Sequence, residues 1–400
     1  MIALLVAAVA MQDSPVRVLE LVEPSAPYIV VQANIKAPAQ MSAREATAWQ
    51  VLGRLLLLGT VEYTPFTIRD YGSQAGIPPS VTVMPDFMRL ELVVPKGGLS
   101  LAGQFLYAML TRPGLREEDI EKVMSQLESE EQSAWVSALV GIDYTYDKLR
   151  QGDVQRLWEH TFRPANINIV VGGVFDPGAA KKEMDYRFSA WKPNPDPGPL
   201  RFDTGPSPRL SVPGGVSAFY LQAKSMTPAS QLSAARLLSV FALGVGRDSS
   251  MTRVLRNKLG LSYLQGAVLW PTRDGWRPTF LMVRKTENGE AKYSTQMKEA
   301  LGEDVKTWTD ETLVRAKAMA RAAFERTLPD SPIWLGPNGP MGRSLSDHCA
   351  WRGYLEMVGS GSLREETMLS AMDNVDLDQL KEAATQTLDE SNVGWLPGRP

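Results

Sequence analysis

A leucine-rich stretch, WQVLGRLLLLGTVEY (residues 49–63), has helical periodicity and places Gln50, Gly53 and Arg54 at i, i+3 and i+4, neighbours on one face. Such spacing suits a metal centre, because two donors one turn apart converge on a single point. The residue types argue otherwise: an amide, a hydrogen and a guanidinium. Imidazoles are scarce, the chain holding only His160 and His348, too distant in sequence to form an H-x-x-E-H pair. His348 and Cys349 are adjacent, so on a helix their side chains diverge by about 100°. A packed cysteine beside a surface histidine is expected there. His160 has no partner at metal spacing and is expected to cap or pack beneath the turn at 162–164. LGPNGPMG (335–342) lacks the Gly-Lys-Ser/Thr ending and the preceding strand of a phosphate loop, and reads as a turn. The ten tryptophans, scattered from Trp49 to Trp395, read as core and interface anchors.

The bulk properties narrow the function classes. Four hundred residues at 44% hydrophobic are ordinary for a globular chain of two or three domains. A net charge of -3, from 42 basic and 45 acidic residues without a long block of either sign, argues against a nucleic-acid partner. The single cysteine excludes an intramolecular disulfide framework. MIALLVAAVA closes on Ala8-Val9-Ala10, as a signal cleavage site does, though without a basic n-region. Residues 1–15 are therefore a possible signal peptide, implying a periplasmic or secreted protein. Otherwise they are an apolar strand of a cytoplasmic one. No other stretch approaches the roughly 20 apolar residues needed to cross a bilayer, so no span is expected in the mature chain.

Periodicity and punctuation place the elements that must position these residues. Six prolines and two glycines in WKPNPDPGPLRFDTGPSPRL (191–210) read as a linker that divides the chain nearly in half. Before it the pattern predicts strands at 28–35, 88–94 and 166–172, with helices at 43–58, 99–110, 117–132, 140–159 and 177–188. After it come strands at 217–224, 261–270 and 278–283, helices at 230–241, 249–258, 289–301, 311–327, 345–357 and 377–388, and a short terminal strand. Ser42-Ala43-Arg44-Glu45 is a capping box that announces the first helix. VVQANI (30–35) and FYLQAKSM (219–226) both set Gln-Ala at a strand end before a helix. With the similar element order, this suggests a duplicated α+β unit.

Several stretches together resemble the insulinase/pitrilysin family of zinc peptidases, which includes the mitochondrial processing peptidases. LGVGRDSSMTRVLRNKLGLSY (243–263) is similar to its C-terminal segment. FRPANINIVVGGVFDP (162–177) and LTRPGLREEDIEKVMSQLESE (110–130) are similar to a strand-to-helix passage and an acidic helix of its N-terminal half. These motifs span both halves in the family's order. The resemblance implies an α+β fold of two homologous domains, 16–190 and 211–400. Each is an antiparallel-rich sheet with helices on one face, and the two form a clam-shell.

The family's zinc motif, H-x-x-E-H, and its downstream glutamate ligand fall on Gln50, Gly53, Arg54 and Glu130. Only Glu130 is kept. Arg54 held about 4 Å from a divalent cation would be repelled by roughly 8 kcal/mol at an effective dielectric near 20. No zinc is expected on this chain, and Arg54 is expected to pair with Glu130. The resemblance further implies that Arg256 and Tyr263 reach a substrate carbonyl at a partner's zinc centre. The expected protein is thus a zinc-lacking subunit that pairs with a homologous zinc-bearing chain around a peptide substrate. The alternative is an inactive scaffold or peptide-binding homologue. In the family's substrate edge strand, PPSVTVMPD (78–86), Ser80 and the nearby prolines Pro78, Pro79 and Pro85 put peptide capture by strand addition in doubt.

Overall fold

The computed structural model describes residues 16–39, 41–72, 74–129, 149–195, 215–227, 231–285, 292–324, 344–361 and 365–398. The possible signal peptide, most of the proline-rich linker, the turn at 335–342 and Glu130 lie outside them.

YIVVQANIK reads as a strand buried on both faces, and β2 (Tyr28–Lys36) is the middle of a five-stranded sheet. Its neighbours are β1 (Arg17–Val22), β3 (Ser80–Val83), β4 (Phe87–Pro95) and β5 (Ile167–Gly173), in the order β1-β5-β2-β4-β3. β1 runs parallel to β5, and the remaining pairs are antiparallel. One face is apolar: Ile29, Val31, Ala33 and Ile35 join Met88, Leu90, Leu92 and Val94 in a core with Trp49, Leu52 and Leu55. The helices of this half are α1 (Ala43–Leu55), α2 (Pro65–Gly72), α3 (Leu99–Thr111), α4 (Glu117–Ser129), α5 (Gln151–Thr161) and α6 (Ala179–Phe188).

The second half holds β6 (Val216–Gln222), α7 (Gln231–Gly244), a π-helix (Met251–Lys258), β7 (Leu264–Thr272) and β8 (Gly275–Lys285). It continues with α8 (Lys292–Lys306), α9 (Asp310–Phe324), α10 (Leu345–Met357), α11 (Glu365–Asp373), α12 (Leu377–Asp389) and β9 (Asn392–Leu396). Its sheet runs β7-β8-β6-β9, all antiparallel. That order repeats β3-β4-β2-β5 of the first sheet, so the expected α+β class with two like units holds. The Gln-Ala echo is not positional, however, since Gln32 lies in mid-strand whereas Gln222 ends β6.

Boundaries moved where backbone chemistry overrode periodicity. α1 stops at Leu55 rather than 58: Gly59 adopts a φ of 114°, and Leu57 and Leu58 already bond three residues back, to Arg54 and Leu55. The helix expected over 249–258 is π-wound, with Leu259 N donating to Val254 O at 2.9 Å, a five-residue step. β1, α2 and α11 were not anticipated.

The first half's own helices pack on the apolar face of its sheet, as expected, and the opposite face is covered by a helix of the second half. α10, from the second half, lies across the face that carries Gln32, Asn34 and Asn168. Asn34 Nδ2 donates to Asn168 Oδ1 at 3.0 Å, and Asn168 Nδ2 donates to Gly353 O at 3.0 Å. Gln32 Nε2 donates to Ser346 O at 2.9 Å and to Glu91 Oε2 at 2.5 Å, while Ser346 Oγ also bonds Glu91. Glycine makes the close approach possible: a Cβ on Gly353 would overlap Asn34 Nδ2, and one on Gly172 would overlap Cys349 Sγ. Cys349 is buried and His348 exposed, as the helical reading required.

Candidate functional site

α1 is held in place at its N-terminus and at its middle. Ser42 Oγ accepts from Glu45 N at 3.3 Å, and Glu45 Oε2 accepts from Ser42 N at 2.6 Å, which completes the capping box. Trp49 Nε1 donates to Met84 O at 2.8 Å, fastening the helix to the β3–β4 turn. Gln50 and Arg54 project beside one another, with Arg54 Nη1 donating to Gln50 Oε1 at 3.2 Å. Gly53 between them is buried against β3. A Cβ there would overlap Val83 Cγ2 and meet Val83 Cβ and Cγ1 at 3.4 Å. The structure therefore brings Gln50, Gly53 and Arg54 together, and the space a longer side chain at 53 would need holds a valine methyl. Among the described residues no three His, Cys, Asp or Glu side chains are grouped as metal ligands.

The π-helix carries the other expected pair. Arg253 Nη2 donates to Asp304 Oδ2 at 2.6 Å, and Trp308 Nε1 donates to Ser250 Oγ at 3.0 Å, binding this helix to α8 and the turn that follows. Beyond it Ser262 Oγ donates to Val283 O at 2.6 Å and accepts from Leu264 N at 3.1 Å, fixing the bend where β7 begins. Tyr263 projects from that bend, 81% exposed, and the Arg256 guanidinium lies 5.5 Å from the centre of its ring. Leu259 and Leu264 beside them are exposed as well. The cation and the phenol sit side by side on the surface.

Pro78, Pro79 and Pro85 flank β3 rather than interrupt it. β3 pairs with β4 on one side and ends its sheet on the other.

Sequence reasoning missed the residues where the halves meet. The β3–β4 turn touches the β7–β8 turn, with Arg273 N donating to Asp86 Oδ2 at 3.0 Å and Arg273 Nη1 to Ala37 O at 2.8 Å. A crevice of about 220 Å³ opens there, lined by Pro38, Met41, Asp86, Trp270, Arg273 and Arg277. Burial pushes the Asp86 carboxyl up to about 6, against the opposing pull of the Arg273 amide and the nearby guanidinium groups. Burial likewise raises the Cys349 thiol well above the ordinary thiol range.

Three solved structures share this fold. A crystal structure of the peptidase M16 inactive domain from Pseudomonas fluorescens matches with a TM-score of 0.71 at 13% identity, covering 96% of each chain. A protease from Helicobacter pylori matches with 0.71 at 14% identity, covering 97% of this chain and 98% of that one. A conserved protein from Enterococcus faecalis V583 matches with 0.65 at 10% identity, covering 96% and 97%. At these identities the likeness is one of fold. No protein-family model and no curated protein matches the chain.

Proposed function

We propose that the chain is a catalytically inactive homologue of the insulinase-type zinc peptidases. It serves as the zinc-lacking subunit of a peptidase whose partner is a homologous chain with an intact H-x-x-E-H helix. The observation that carries the reading is Gly53 packed on Val83. The place where this fold family keeps its general base has neither a carboxylate nor room for one, and an amide and a guanidinium flank it. Those residues do not fit zinc, so no hydrolytic step is assigned to this chain's own helix.

Arg256 and Tyr263 are the groups this subunit offers. A guanidinium and a phenol, aimed together at the carbonyl oxygen of a scissile peptide, stabilise negative charge that develops only in the transition state. Their pairing on the surface, next to an exposed leucine pair, supports this role. Two peptidase-like domains, 16–190 and 211–400, joined by the proline-rich 191–210, would form one wall of a peptide chamber. The chain is proposed to act after export, in the periplasm or outside the cell. Nucleic acid is no part of this reading, and among the described residues no helix is long and apolar enough to cross a membrane.

The test is reconstitution. A zinc-bearing chain of the same fold is mixed with wild type, Arg256→Ala and Tyr263→Phe, and peptide cleavage is followed. Turnover that requires this chain and falls in both variants supports the proposal. Turnover indifferent to both variants favours the scaffold.

A further inference from the structure

The two equivalent hairpins meet tip to tip, and a carboxylate sits in the joint. Asp86, in the β3–β4 turn, accepts from Arg273 N, the first residue of the β7–β8 turn, at 3.0 Å. Its backbone O accepts from Ala37 N at 3.0 Å, and Arg273 Nη1 closes the loop on Ala37 O at 2.8 Å. Asp86 Oδ1 is buried and has no hydrogen-bond partner among the described residues. The flanking residues Met84 and Phe87 belong to the apolar core of the second half, Phe87 lying 5.7 Å from the Tyr354 ring. Below the tips the hairpins are pinned by packing and by the Trp276–Met226 and Tyr354–Thr272 bonds, while polar contacts tie Arg273 at the tip to Asp86 and Ala37.

We propose that Asp86 makes this turn a proton-dependent latch over the crevice between the halves, closed when its carboxyl is protonated and loosened when it is ionised. An ionised carboxylate whose second oxygen is dry and unbonded is costly, and the cost is relieved by admitting water, which requires the turn to lift. A neutral carboxyl carries far less of that cost. The charges facing Asp86 do not reverse this. From the β7–β8 turn Arg273 favours ionisation and Asp274 opposes it, while from β8 Arg277 favours it. From α10 the Tyr354 hydroxyl, itself kept neutral by burial, is spent on Thr272 O at 3.0 Å. From β2, Lys36 faces Arg273 and Asp274. Burial outweighs these charges and holds the carboxyl near 6 rather than its ordinary 3.8. A group whose folded value is raised favours the closed state fully at low pH and loses that contribution as pH rises through the folded value.

The measurement is amide hydrogen exchange of the full chain, corrected for intrinsic rates, at Arg273, whose N–H bonds Asp86. Trp276 is the reference, its N–H bonding Met226 O at 2.8 Å in the same hairpin. From the ordinary 3.8 and the raised value near 6, protection at Arg273 should fall about tenfold between roughly pH 5 and pH 7.5, with Trp276 flat. Asp86→Asn should remove the step. A flat wild-type profile, a step shared by Trp276, or a step that survives in Asp86→Asn would each overturn the latch. Should Asp86→Asn fail to fold, the wild-type difference between the two amides decides.

Discussion

Arg54 and Gln50 are bonded to each other, Nη1 to Oε1 at 3.2 Å, one turn apart on α1. Two side chains at the spacing that elsewhere converges on a metal satisfy one another instead. The glycine between them is as informative as the pair, because what it lacks is supplied by the neighbouring strand.

Gly53→Ala tests that packing. In an open helix the change would stabilise by about 1 kcal/mol. Here the added methyl would overlap Val83 Cγ2, and rotating the valine leaves Cβ at 3.4 Å. We expect a net loss of about 1–3 kcal/mol in urea denaturation, as for overpacked cores. In a Val83→Ala background the same change should become neutral or stabilising. A Gly53→Ala protein as stable as wild type would mean that the strand does not fill the site.

Much of this was legible in advance, and the residues show why. Ser42 and Glu45 bond within one turn, so the capping box could be read locally, and the alternation of Ile29, Val31, Ala33 and Ile35 marks an apolar face. The polar members of the same strands, Gln32, Asn34 and Asn168, carried a signal that went unread. Their partners on α10 lie more than a hundred residues away, and only the tertiary fold identifies them. Asp86 was opaque for the same reason. Nothing local distinguishes a turn aspartate in water from one sealed by another hairpin.

Gly353→Ala addresses the crossing helix. Its Cβ would overlap Asn34 Nδ2 and come within 2.9 Å of Asn34 Cγ, displacing a side chain that bonds Asn168. Since the chain Asn34–Asn168–Gly353 is buried, the disturbance leaves polar groups dry and unpaired. A cost of about 2–4 kcal/mol is expected. Calorimetry would register it as a lower melting temperature. An unchanged transition would show that α10 can shift at no cost.

Cys349 offers a probe of the same interface. Its thiol is buried between α10 and Gly172, and burial raises it far above the range in which thiolate forms. In native buffer at about pH 8 a disulfide reagent should therefore modify it only at the rate at which α10 lifts. One equivalent should react at once in denaturant. Rapid native labelling would contradict the docking of α10 on the first sheet.

Arg256 and Tyr263 separate stability from function. Both are exposed, and a surface cation–aromatic contact is worth about 0.5–1 kcal/mol, so Arg256→Ala should barely move the unfolding midpoint. Tyr263→Phe should move it less, because the ring stays beneath the guanidinium and only the hydroxyl is removed. Under the proposed pairing with a zinc-bearing chain, the two changes should act on a different quantity. Loss of one donor to a developing oxyanion costs about 2.7–4 kcal/mol of barrier, or about 10²–10³ in kcat, with KM largely kept. A binding surface that merely holds peptide would show the reverse, a raised KM at constant kcat. The pattern of kcat and KM across Arg256→Ala, Tyr263→Phe and Tyr263→Ala therefore distinguishes a transition-state contact from a docking contact, even though neither residue leaves a mark on the fold.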